Sequence, residues 1–167
     1  MNSAHFHLLV NHFPIIVPII ALLILVGGFI FRSEIVKRTA LVLFVFGAVA
    51  TFPTMFSGEE AEEIVEKIPG ITESVIEHHE EMAETFAFSN YGLGLLALFA
   101  LWAEWKKKSF AKLTIYVIAI FAIVVIFLGS RAGTSGGEIR HTEIRDSYQM
   151  NMNNNQNVDL EKEDNDD

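Results

Sequence analysis

The chain has 167 residues, of which 51% are hydrophobic, and its formal net charge at pH 7 is −9. A chain of this length suits a single domain. It contains no cysteine, which excludes disulfides, thiolate metal sites and a covalently attached c-type haem.

Four stretches of the chain carry no Asp, Glu, Lys or Arg, at 13–31, 39–58, 85–103 and 113–130. Each has about 18–20 residues, enough at about 1.5 Å per residue to cross a hydrocarbon core about 30 Å thick. Each would be apolar around its whole circumference, whereas a helix in a soluble bundle carries a polar stripe. The sequence therefore predicts an all-α fold, an integral membrane four-helix bundle within residues 1–145.

The distribution of basic residues predicts the orientation. Four spans place the N-terminus, the middle loop and the C-terminal tail on one side, and the two short loops on the other. The short loops contain seven of the twelve Lys and Arg residues, namely Arg32, Lys37, Arg38, Lys106, Lys107, Lys108 and Lys112. Because basic loops stay in the cytoplasm, both termini are expected on the periplasmic side of a bacterial inner membrane.

The middle loop is expected to hold short amphipathic helices on this outer side. Ser57 and Glu60 have the spacing of a capping box that begins a helix. Pro69-Gly70 would end that helix, and Thr72 would cap a second one that runs into the third span. After the fourth span, residues 151–167 are rich in Asn and acidic residues, a composition typical of a disordered tail.

A short repeat follows the second and the fourth span. The second span ends in Ser57-Gly58-Glu59-Glu60, and the fourth ends in Thr134-Ser135-Gly136-Gly137-Glu138. This single short match is compatible with a two-plus-two arrangement of helical hairpins.

All six histidines fall on the predicted outer side: His5, His7, His12, His78, His79 and His141. Histidine is an axial ligand of haem iron and a common ligand of zinc and copper. At about 100° per residue, only one of His78 and His79 can face the bundle. His79 shares its face with Ile76, Ala83 and Phe86, so it is the preferred candidate, and His78 remains an alternative.

A second metal hypothesis comes from Glu138 and His141. Their Glu-x-x-His spacing is the one that carboxylate-bridged metal sites use on a helix, so Glu138, His141, His12 and His79 are candidate metal ligands. A dimetal oxidase needs two copies of this motif, and the chain has one. The spans themselves contain no ionisable Asp, Glu, Lys or Arg, which argues against an ion-coupled transporter.

At the level of motifs, the chain resembles a bacterial family of four-span membrane proteins of unknown function that share an N-terminal His-Phe-Pro signature. The matching segments are His7 to Pro14, Ser57 to Glu62, His79 to Glu84 and Gly136 to His141, so the resemblance covers about residues 5–145. It implies that His7, His12, His79 and His141 are the site histidines, and that His5 and His78 are incidental. Some relatives look fused to redox modules, which implies electron transfer.

Two functions are therefore considered. In the first, the chain binds haem b or another metal between the outer helix ends, through His12 and His79, with His7 and His141 as alternative or second-pair ligands. The aromatic side chains expected at the same depth are Phe13, Phe52, Phe56 and Phe86. In the second, the chain is a non-enzymatic accessory subunit whose polar outer cap docks a partner complex. The expected partners are the lipid bilayer and a respiratory or other redox membrane complex, with no nucleic acid.

The orientation can be tested with reporter fusions. A reporter after Asn151 should be active only on the external side, and a reporter within residues 33–37 only in the cytoplasm, because the basic short loops are retained inside. Cytoplasmic activity of the C-terminal fusion would reverse the orientation.

Overall fold

A computed structural model describes residues 2–145 of the chain, so the predicted disordered tail at 151–167 lies outside the described residues. Within this part the chain forms five α-helices, followed by a short 3-10 helix at Thr142–Ile144. The α-helices are α1 (Ser3–Val10), α2 (Phe13–Ile30), α3 (Glu34–Val65), α4 (Glu73–Trp105) and α5 (Ala111–Arg140). The described residues contain no strand, so the predicted all-α fold is confirmed.

Four helical segments are long and apolar enough to cross a membrane, as expected of a multi-pass membrane protein. They have 28 residues (α1 and α2 taken together), 32 (α3), 33 (α4) and 30 (α5). At about 1.5 Å per residue each exceeds a hydrocarbon core about 30 Å thick. The helices therefore project beyond their charge-free stretches.

The first of the two helices predicted in the middle loop is continuous with the second span, whereas the second runs into the third span as predicted. Helix α3 runs without interruption to Val65, and Ser57 does not cap a new helix because its hydroxyl donates back to the carbonyl of Thr54, at 3.1 Å. The amphipathic segments are thus extensions of α3 and α4. Gly70, with φ at 87°, lies in the turn between them, and Thr72 is the N-cap residue of α4, as predicted.

The spanning helices pack in a ring in which α2 contacts α3 and α5, and α4 contacts the same two helices. Helix α1 lies against α3. The largest fully buried apolar side chains are Leu25, Leu41, Phe44, Leu93, Ile118 and Val125.

Both short turns begin with the same helix-ending motif. Arg32 and Lys107 each have φ at 52°, and the amide of the following residue donates to a carbonyl five positions back, from Ser33 to Gly28 and from Lys108 to Ala103. This bonding is that of a Schellman motif, in which the left-handed position is usually glycine. Here a basic residue occupies that position in both turns.

The two hairpins also share a pattern of burial. Arg32 lies midway along the chain between His7 and Ser57, and Lys107 lies midway between His79 and Ser135. Buried residues recur at matching intervals in the first spanning helix of each hairpin: Pro14, Pro18, Ala21, Leu25 and Gly28 in α2, and Phe86, Asn90, Leu93, Ala97 and Ala100 in α4. The short sequence repeat is therefore part of a longer structural correspondence.

Asn90 joins the two hairpins in the bundle interior. Its side chain is 0% exposed, and its amide nitrogen Nδ2 donates to Thr51 Oγ1 at 2.9 Å and to the Gly47 carbonyl at 3.4 Å. Because a carbonyl can only accept, this contact fixes which end of the amide points at α3. The Thr51 hydroxyl in turn donates to the Gly47 carbonyl, at 3.0 Å.

Thr51→Val should destabilise the bundle by about 1 kcal/mol, because it removes a hydrogen-bond acceptor from a buried amide. Thr114→Val is the matched control, since Thr114 makes the same bond to the carbonyl four residues back and no bond to another helix. The measurement is the free energy of unfolding in mixed micelles. An equal loss in both variants would show that the contact with Asn90 contributes nothing.

Candidate functional site

The six histidines lie at one end of the bundle, which is formed by α1, the extensions of α3 and α4, and the end of α5. We call it the histidine end. The opposite end, with the turns at 31–33 and 106–110, is the basic end. Two of the histidines, His7 and His79, are partly buried, whereas His5, His12, His78 and His141 are exposed.

His7 on α1 lies against the extension of α3. Its Nδ1 is 3.1 Å from the Thr54 carbonyl oxygen and 3.2 Å from Ser57 Oγ. A carbonyl oxygen only accepts, and the single Ser57 hydroxyl proton is donated to this same carbonyl at 3.1 Å. Nδ1 therefore carries the proton in the neutral ring.

His79 on α4 makes the equivalent contact with α5. Its Nδ1 is 3.0 Å from Ser135 Oγ, and the Ser135 hydroxyl donates to the Ala132 carbonyl, also at 3.0 Å. The serine oxygen thus accepts from Nδ1–H, as in the first hairpin. The structure turns His79 toward the bundle beside buried Ile76 and Phe86 and leaves His78 exposed, in agreement with the helical periodicity.

A glycine follows each serine and makes room for the imidazole ring. A Cβ added at Gly58 would lie 3.3 Å from His7 Cε1, and one added at Gly136 would lie 2.9 Å from His79 Cε1. The second distance is shorter than real Cβ contacts allow. Each Ser-Gly pair is therefore a seat for one histidine, with a hydroxyl for Nδ1–H and open space for the ring edge.

This arrangement leaves the second ring nitrogen of both histidines available. Within residues 2–145, Nε2 of His7 and Nε2 of His79 form no hydrogen bond. An imidazole that donates from Nδ1 keeps a lone pair on Nε2, which is the atom that can bind a metal.

Both rings lie outside the charge-free stretches, and both favour the neutral form. Burial lowers the pKa of His7, although the Thr54 carbonyl partly opposes the shift. Burial also lowers the pKa of His79, a protonated His7 would lower it further, and the Ala132 carbonyl partly opposes these shifts.

The remaining candidates lie elsewhere at the histidine end. His12 lies at the turn between α1 and α2 and is exposed. His141 follows the last residue of α5, and its Nδ1 is 2.9 Å from a carboxylate oxygen of Glu143. Because α5 ends at Arg140, Glu138 and His141 do not form the Glu-x-x-His pair on a helix that their spacing suggested. The Glu138 carbonyl instead accepts from Arg145 Nε, at 2.7 Å.

The described residues contain no group of three or more His, Asp or Glu side chains that could hold a metal ion. The four phenylalanines predicted at this depth do not line one space, because Phe13, Phe52 and Phe56 are exposed. Phe86 is buried, and a Cβ at Gly129 would lie 2.9 Å from its ring.

The surface of the histidine end is acidic. Glu62 on α3 and Glu80 on α4 are close enough that burial and the Glu80 charge raise the pKa of Glu62. Ser3 Oγ donates to Glu60 at 2.6 Å and ties α1 to the extension of α3. The exposed glutamates on the two extensions are Glu59, Glu60, Glu63, Glu66, Glu73, Glu77, Glu80, Glu81 and Glu84.

The Ser-Gly repeat can be recognised in the sequence, but the histidine that contacts each copy cannot. The contacts join residues 50 and 56 positions apart in the chain, beyond the reach of local periodicity. Comparison with family models, curated proteins and solved structures found no match for this chain.

Gly136→Ala should displace the His79 ring and destabilise the histidine end, because its new Cβ would overlap Cε1. Gly133→Ala and Gly137→Ala are matched controls on the same helix, since their Cβ atoms would meet isoleucine methyl groups at an ordinary 3.5 Å. Thermal unfolding in detergent would measure the loss. A Gly136→Ala protein as stable as both controls would contradict the seat described here.

Proposed function

We propose that the chain is a redox membrane protein whose histidine end would hold haem b through Nε2 of His7 and Nε2 of His79. The observation that carries this proposal is the pair of equivalent neutral imidazoles, each held at Nδ1 and open at Nε2. Histidine ligands of metals commonly donate their other N–H to a fixed acceptor, which sets the ring orientation and makes the ligand more basic.

The number of ligands favours haem over a bare ion. Structural zinc is bound by four protein ligands, and catalytic zinc by three, whereas the described residues bring no such group together. A porphyrin supplies four of the iron ligands itself, so two histidines complete its coordination. When bound, the iron would supply one-electron transfer.

The choice of His7 with His79 refines the pairing of His12 with His79 that the sequence suggested. His7 and His79 are partly buried and seated, whereas His12 and His141 are exposed. His12, His141 and Glu138 remain candidate ligands at the same end of the bundle. Phe86, which is buried at this end, is the one of the four predicted phenylalanines that could contact the group from within the bundle.

The proposal includes a location and a partner. The basic end holds Arg32, Lys106, Lys107 and Lys108, all exposed, and the positive-inside rule assigns such an end to the cytoplasm. The site would then face the periplasm from the inner membrane. Its acidic surface would dock a basic patch on a redox protein or respiratory complex, and charge complementarity of this kind speeds association.

The acidic surface also supports a second function, that of a non-enzymatic accessory subunit. In that case the glutamates of the two extensions dock a partner complex, and the seated histidines only connect the helices within each hairpin. In the first function the Nε2 atoms of His7 and His79 bind haem, and in the second they bind no ligand. Substitutions of the histidines therefore distinguish the two functions.

His7→Ala and His79→Ala should each abolish or strongly reduce haemin binding by the purified protein, because each removes one axial ligand. His5→Ala and His78→Ala are matched controls from the same helices, with exposed side chains. Haemin titration followed by visible absorption is the measurement, after size-exclusion chromatography has shown that every variant is monodisperse.

His12→Ala and His141→Ala in the same titration report on the other two predicted ligands. Loss of binding in His12→Ala with full binding in His7→Ala would contradict the assigned pair. Equal binding by all six variants would favour the accessory function.

A further inference from the structure

The serine of each seat has a single hydroxyl proton, and the structure shows where it goes. Ser57 donates to Thr54 O at 3.1 Å and Ser135 donates to Ala132 O at 3.0 Å. Because each serine hydroxyl already donates its proton to a carbonyl, the serine oxygen can only accept a hydrogen bond from the Nδ1–H of the adjacent imidazole. Ser57 is 1% exposed and Ser135 is 4% exposed, so water does not compete readily for these oxygens.

We infer that Ser135 is a positioning residue that fixes His79 as the Nδ1–H tautomer, that Ser57 does the same for His7 jointly with the Thr54 carbonyl, and that Nε2 is thereby the ligating atom of both rings. The haem part of this inference rests on the proposed function. The tautomer part does not, because it follows from the hydrogen bonds of the protein without any ligand.

The two seats differ in one respect that makes the inference testable. Nδ1 of His7 also contacts a carbonyl, Thr54 O, at 3.1 Å, and this oxygen remains when Ser57 is changed. The Ala132 carbonyl also acts on His79, since it partly opposes the lowering of the His79 pKa by burial, but Nδ1 makes its short hydrogen bond, at 3.0 Å, to Ser135 Oγ. Ser135→Ala should therefore loosen His79 more than Ser57→Ala loosens His7.

Ser130 provides a matched control on the same helix as Ser135. Its hydroxyl makes the same kind of bond to the carbonyl three residues back, from Ser130 Oγ to Phe127 O at 2.9 Å, and it faces outward. Ser130→Ala removes an equivalent hydroxyl without touching a histidine. Any effect of losing a serine hydroxyl from α5 in general would appear in both variants.

The experiment is nitrogen NMR of the full-length protein, labelled with ¹⁵N-histidine, in detergent micelles and without added ligand. His7→Gln and His79→Gln identify the two resonance pairs. In the wild type both rings should show a protonated Nδ1 and an unprotonated Nε2. In Ser135→Ala the His79 signals should move toward a mixture of tautomers, whereas those of His7 in Ser57→Ala should change less.

A protonated Nε2 in the wild type would overturn the inference, and so would His79 signals that are the same in Ser135→Ala as in Ser130→Ala. A haemin titration adds a second readout, in which Ser135→Ala should weaken binding by about tenfold, the lower end of what loss of such a partner costs. A wild type that shows the expected tautomers and binds no haemin would refute the proposed function and leave the positioning role in place.

Discussion

Polar groups inside this bundle depend on partners supplied by neighbouring helices, because a hydrocarbon core offers no water to replace them. This constraint explains why the buried polar residues occur where helices meet. Asn90 donates across to Thr51 and Gly47, and the imidazoles of His7 and His79 donate to the serines that face them. At the end of the bundle the histidine N–H groups follow the same rule, because the serine oxygens that accept them are buried between helices.

Not every buried polar atom has a hydrogen-bond partner, and the atoms without one lie in the same bundle interior. Within the described residues, Oδ1 of Asn11 and Oδ1 of Asn90 are buried without a hydrogen-bond partner. Asn11 ends α1, four residues after His7, and Asn90 lies deeper, on the helix that carries His79. The polar interior therefore extends from the histidine seats toward the centre of the bundle, whereas the half nearer the basic end is filled by apolar side chains such as Leu25, Leu41 and Phe44.

The spans were predictable from the sequence because their cause is local. A run of about 20 residues without charge is sufficient to indicate a membrane-crossing helix, and a period of 3.6 residues placed His79 inward and His78 outward. These features need no knowledge of the rest of the chain. The helix starting after Thr72 was predictable for the same reason.

The site was harder to predict because it depends on contacts between distant residues. Ser57 fits a capping box as well as it fits a helix interior, and only the contact with His7 from α1 shows the use of its hydroxyl. Helical periodicity also fails across the turn at Asn11 and His12, so it could not rank His7 above His12. The left-handed Arg32 and Lys107 were missed because glycine is the usual signal for that position.

Because the two hairpins correspond, the site consists of two equivalent histidine contacts. Each hairpin contributes one histidine and the serine and glycine that seat it. The proposed haem b would use these two imidazoles as its protein ligands. Reduced-minus-oxidised visible spectra of the protein purified in mild detergent, together with its iron, copper and zinc content, test this most directly. The proposal predicts a b-type haem spectrum with stoichiometric iron, whereas a colourless protein without bound metal would contradict it.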